Sequence, residues 1–172
     1  DVRIEHISGN LTDHYDPSSK VLRLSDSVYG STSVAAIGVA AHECGHAVQH
    51  QVGYVPLSIR SALVPVANFG SSLSWPIFVA GLIFSIGPLL DIGIILFLAA
   101  VLFQVVTLPV EFNASARAIR LLDSCGILGQ QEIGGTKKVL TAAALTYVAS
   151  LAASILQLLR LLILAGGRRR ND

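Results

Sequence analysis

The alternation of apolar and polar positions separates a polar opening stretch from three long apolar runs. Within residues 1–30, apolar and polar side chains alternate at Val2 and Ile4 and again through Lys20-Val21-Leu22-Arg23-Leu24-Ser25, the period of a half-buried strand. Ser8-Gly9-Asn10 and Asp16-Pro17-Ser18-Ser19 read as turns, so 1–30 is expected to form a small strand or β hairpin region. From Ser33 to Gln51 small and apolar residues run without proline, with Ser31 or Ser33 to cap the start and Gly53 to end the run; a helix is predicted over 32–52. Three stretches, 66–87, 92–110 and 139–166, have the length of roughly 20 residues that a bilayer crossing needs. Gly87-Pro88-Leu89-Leu90-Asp91 supplies a turn between the first two, and 109–123, beginning at Pro109, reads as a short amphipathic helix.

Composition sharpens this picture. The chain is 52% hydrophobic and 13% charged, against about 25% charged residues in soluble domains. It is therefore expected to be a mostly α integral membrane protein. A net charge of +1 with no basic stripe argues against nucleic acid as a partner. Arg168, Arg169 and Arg170, following an apolar run, read as a membrane anchor. The chain opens at Asp1 and holds no Met, which suggests a piece of a longer protein.

The chemistry lies in the helix predicted over 32–52. His42, Glu43, Cys44, Gly45 and His46 form the H-E-x-x-H pattern, in which residues four apart share a helix face and two imidazoles converge on one metal ion. With five His in 172 residues, chance produces this pattern in roughly three of a thousand such chains. The pattern points to one Zn²⁺ per chain, short of a third protein ligand and with a position left for water, while Glu43 can take that water's proton. The competing account is two satisfied histidines on a packed helix. Cys44 falls about 200° around the helix from His42 and reads as a small buried hydrophobe. Gly45 would let another element approach the helix backbone, and His50 has ligand spacing from His46 but stands at a fraying end.

Two crossings return the chain to the membrane face it left, so Glu111 should emerge on the side of His42 and His46. It is either the third ligand or a plain glutamate at a helix start, where acids are favoured. In Asp13-His14-Tyr15-Asp16, His14 or Tyr15 could contact substrate or a transition-state oxyanion; the alternative is a turn with packing around Tyr15, and the two carboxylates are read as turn residues.

Four blocks, LTDHYDPSSKVLRLS, AAIGVAAHECGHAVQHQ, LPVEFNASARA and KKVLTAAALTYVASLAA, resemble the bacterial YugP-like neutral zinc metallopeptidase family, and the likeness spans nearly the whole chain. The order of metal helix, two spans and Glu-bearing helix is also similar to the HtpX and CAAX prenyl protease group. That resemblance implies a zincin-like membrane metalloprotease, a single peptidase domain over 1–172, with Glu111 completing the zinc site. Ser115 stands where that group has Asp, leaving Asn113 or Ser115 to orient a ligand histidine. The expected function is a zinc-dependent membrane endopeptidase that cleaves membrane or membrane-proximal proteins. The expected setting is a bacterial plasma membrane with the site on the cytoplasmic side. The alternative is a non-catalytic membrane scaffold with a structural or degenerate zinc site.

Overall fold

Three short strands, four helices and a division into two units account for residues 1–169, which are the residues described by a computed structural model of the chain. The strands β1 (Arg3–His6), β2 (His14–Asp16) and β3 (Val21–Leu24) form one sheet in the order β1-β3-β2, with β1 parallel and β2 antiparallel to β3. β2 is the strand that the alternation of residues did not single out, because three residues are too few to display a period of two. Its place is set by the neighbouring turn. The Asp16 carboxylate accepts from Ser18 N at 2.9 Å, from Ser18 Oγ at 2.6 Å and from Ser19 Oγ at 2.6 Å, and Lys20 adopts φ 52 to reverse the chain. Asp13 accepts from the backbone and hydroxyl of Ser25 at 2.8 and 2.9 Å. Asp16 thus closes a turn, as a short carboxylate beside a reversing backbone does, whereas Asp13 ties the start of β2 to the residue that follows β3, twelve positions away.

The helices are α1 (Val34–Gln51), α2 (Val55–Phe84), α3 (Gly87–Ser124) and α4 (Gln130–Arg169). Ser33 caps α1 by accepting from Ala36 N at 3.2 Å, and Gly53 follows its end at φ 63. The last three helices are long and apolar enough to cross a membrane. Two boundaries differ from the sequence expectation. The link between the first two crossings lies at Ser85 and Ile86, before Gly87, so Asp91 stands within α3. Glu111 does not open a new helix after Pro109, because α3 runs through that proline to Ser124; α2 likewise runs through Pro65 and Pro76. Proline removes one hydrogen bond from a helix, but in an apolar environment breaking the helix would strand several backbone groups, which costs more. The side chains of the arginine cluster 168–170, read as an anchor, lie outside the described residues.

One unit comprises residues 1–58 and 109–146. In it α1 is packed on two sides. Ala36, Val39, Ala40 and Cys44 meet Leu22, Leu24 and Val28 of the sheet region, while Val34, Ile37 and Ala41 meet Ala118, Leu122, Leu128 and Leu140. Small residues set how closely the helices approach. A Cβ on Gly45 would lie 2.4 Å from the Ala114 carbonyl oxygen, and one on Gly38 would lie 2.8 Å from a Thr136 methyl.

The other unit comprises residues 59–108 and 147–172. Its α2 and α3 segments pack antiparallel, Gly81 against Leu90, Gly93 against Phe78 and Gly70 against the Leu96 carbonyl. Phe78 and Leu90 join Leu161 and Ala165 of α4 in a buried cluster. Phe69, Ile83, Ile95, Leu156 and Ile163 are exposed, the outward apolar surface expected of helices in lipid.

Gly45 gives the fold a direct test. Alanine is the better helix former by about 1 kcal/mol, yet a Cβ here meets backbone that cannot rotate away. Gly45→Ala is expected to destabilise the protein by about 2 kcal/mol, a typical overpacking cost. Gly87→Ala, where a Cβ meets nothing within 4 Å, should be neutral or stabilising. Thermal unfolding in detergent reads both variants, and equal midpoints would contradict the close approach.

Candidate metal centre

The centre is assembled from two helices. His42 and His46 are one turn apart on α1, and their rings meet edge to face with centroids 4.8 Å apart. Glu111, on α3, brings Oε2 to 3.1 Å from His42 Nε2 and Oε1 to 3.7 Å from His46 Nε2. One ligand atom from each of the three lies within 4.8 Å of the others. Glu111 and His46 are buried and His42 is nearly so. Among the described residues these form the one group of three or more His, Cys, Asp or Glu so placed.

The far side of each imidazole is held. His42 Nδ1 lies 3.1 Å from Ser115 Oγ. Glu111 and Ser115 are four apart on α3, so a single turn of that helix spans both nitrogens of one ring. His46 Nδ1 lies 3.0 Å from Gln49 Oε1, and Gln49 is fully buried. The Gln49 amide donates from Nε2 to the Val110 carbonyl at 2.8 Å and to Asn113 Oδ1 at 3.0 Å. With the Gln49 amide nitrogen committed as donor, Oε1 accepts from His46 Nδ1, which leaves His46 Nε2 directed toward Glu111. Asn113 is in turn held by Arg117, whose Nε donates to its Oδ1 at 2.8 Å.

Electrostatics agree with the geometry. Burial opposes a positive charge on His46, but the hydrogen bond and charge of Glu111, joined by Glu43, outweigh it and raise the pKa of that imidazole. Burial pushes the Glu43 carboxyl above the usual carboxylate range against the pull of His46, His42 and the Tyr15 amide, with the Glu111 charge adding to the rise. Two carboxylates in a poorly solvated site thus attract a cation. Two imidazoles and one carboxylate are a donor set zinc takes with three protein ligands, and each ring has a partner behind it to orient it. The residues fit the ion.

The remaining candidates separate cleanly. Glu43 is buried beside the cluster, and its Oε2 accepts from the Tyr15 backbone N–H at 2.9 Å. Tyr15 reaches the centre through that amide, while its hydroxyl lies 2.9 Å from His50 Nδ1. His14 is not brought to the cluster, since Nδ1 lies 2.8 Å from the Thr12 carbonyl and Nε2 lies 3.4 Å from Arg23 Nη1. Ser115 touches a histidine of the cluster, and Asn113 acts one step further out through Gln49. Cys44 packs toward the sheet, and burial, with the nearby Glu43 charge, raises its thiol pKa.

Gln49 and the Tyr15–His50 pair are what reading the sequence missed. Gln49 stands three residues after His46, on the same helix face, and a polar amide at that step was the available signal. For His50 the signal was its place seven residues after Glu43, but its partner lies 35 residues away in the chain.

Comparison with known proteins bears on this geometry. The family described as "Putative neutral zinc metallopeptidase" matches residues 1–166. The chain is 49% identical over 172 residues to "Putative membrane protease YugP" of Bacillus subtilis (strain 168), an alignment that covers 99% of this chain and 76% of that protein. No solved structure matches the chain. A two-helix centre with a zinc-type donor set and a family match over nearly its whole length lead to one conclusion: the chain belongs to the "Putative neutral zinc metallopeptidase" family.

Proposed function

We propose that this protein is a zinc-dependent endopeptidase acting on membrane or membrane-proximal proteins. In this reading His42, His46 and Glu111 hold one zinc ion and Glu43 is the catalytic acid and base. The observation that carries it is the convergence within 4.8 Å of ligand atoms from residues as far as 69 apart in the chain, beside a buried carboxylate outside the ligand set. A structural zinc site would close the coordination shell with protein ligands, whereas here three ligand residues converge with a further carboxylate beside them.

Bound zinc supplies a Lewis acid that acidifies water and polarises a carbonyl. The chain's own residues do the rest. The Tyr15 amide fixes one Glu43 oxygen and leaves the other to take a proton from the attacking water and return it to the leaving amine. Gln49 and Ser115 hold the two imidazoles so that their ligand nitrogens stay turned to Glu111. The three long apolar helices and the name of the Bacillus relative support substrates in or near a membrane. A bacterial plasma membrane with the centre on the cytoplasmic side completes the reading.

Glu43→Gln is expected to retain zinc and lose at least about 10²-fold in turnover of an unfolded protein substrate; undiminished cleavage would remove Glu43 from the chemistry. Glu111→Gln should come off a gel-filtration column with its zinc lost by elemental analysis, and a full metal complement would require another ligand. Gln49→Leu keeps the side-chain volume but frees the His46 ring, and should weaken zinc binding by about 10- to 100-fold in a chelator competition. Affinity equal to wild type would show that the ring needs no such partner.

A further inference from the structure

We propose that Tyr15 is a positioning residue for Glu43, and that Tyr15 with His50 forms a latch that fixes strand β2 against the metal-binding helix. The inference deepens the reading above and rests on Glu43 as the residue that carries the proton.

β2 has three residues and pairs on one side only, with β3, so ladder hydrogen bonds alone hold it weakly. Tyr15 stands opposite Leu22. Its N–H is directed to Glu43 Oε2, so this is the pair of an antiparallel ladder whose backbone groups point away from the partner strand. The chain continues from β2 into Pro17, which has no N–H to add. The outer edge of β2 thus meets α1 through one backbone donor, and that donor is on the catalytic carboxylate.

A single backbone hydrogen bond from a short edge strand would orient Glu43 poorly unless the strand were itself held. The second tie is the hydroxyl of the same tyrosine, 2.9 Å from His50 Nδ1, with the two rings 5.8 Å apart. Glu43 and His50 are seven positions apart, which returns to the same helix face about 10 Å further along. Tyr15 therefore touches two points on α1, with His46 on the same face between them. Its ring also packs on the cluster formed by Leu22, Leu24, Val28 and Ala36, so removing the hydroxyl breaks the latch without removing the packing.

The test uses full-length protein in detergent, loaded with zinc, with an unfolded fluorescent protein as substrate. Tyr15→Phe and His50→Ala should each lower kcat about tenfold, with KM within about twofold of wild type and zinc content unchanged. The double variant should be no worse than either single one, because both remove the same bond. His50→Asn, whose amide puts a hydrogen-bonding atom near the place of Nδ1, should recover most of the loss. A readout independent of turnover is amide hydrogen exchange at residue 15, which should be slow in wild type and faster in His50→Ala. Unchanged kcat, a raised KM at constant kcat, additive losses in the double variant, or equal exchange rates in wild type and His50→Ala would each overturn the latch. A wild type that binds zinc and cleaves nothing would instead refute the peptidase reading, and the exchange rates would then still decide the latch.

Discussion

The close approach of α3 to the backbone of α1 at Gly45 is the contact on which the rest of the metal centre depends. Without a side chain at that position, the Ala114 carbonyl can sit where a Cβ would be. At that separation short side chains suffice to connect the helices. A serine reaches the back of His42, a glutamate its front, and a glutamine three residues beyond His46 reaches both the imidazole and the α3 backbone. A glycine costs a helix about 1 kcal/mol; here that cost is offset by a donor set whose rings cannot turn.

The division of labour between α1 and α3 follows from helix geometry. Each helix contributes residues at steps of three or four, so each presents a short row along one face. On α1 the row is His42, His46 and Gln49; on α3 it is Glu111 and Ser115, with Val110 and Asn113 beside it. Facing rows of this kind satisfy one another's polar atoms, which matters because a buried donor or acceptor left without a partner costs about 1–3 kcal/mol. The chain from Arg117 through Asn113 and Gln49 to His46 shows how a buried imidazole is oriented from an arginine two contacts away.

The small sheet has a role beyond packing. β3 supplies the apolar face on which α1 rests, and β2 lies along its other side with its outer edge turned to α1. Asp13 and Asp16 hold the backbone that shapes this region. Asp13 holds Ser25 and Asp16 holds Ser18 and Ser19, which leaves Glu43 and Glu111 as the carboxylates of the centre itself.

The features legible from sequence were those governed by local periodicity and by spacing within one helix. These were the helical setting of His42 and His46, the three apolar runs, the turn of Cys44 away from the metal face and the glycine that admits a neighbour. The extent of α3 was misjudged at Pro109 because proline's local penalty is visible in the sequence, whereas the larger penalty for exposing backbone in an apolar environment is not. Gln49 and the Tyr15–His50 pair were hidden for a related reason: a side chain's identity does not reveal which distant backbone will come within 3 Å of it. Sequence alone determined which side chains could bind a metal, since that is a matter of donor chemistry and of 3.6 residues per turn. Only the tertiary structure decided which of them meet, because contact between residues 42 and 111 depends on how closely two helices pack, and that distance belongs to neither segment by itself.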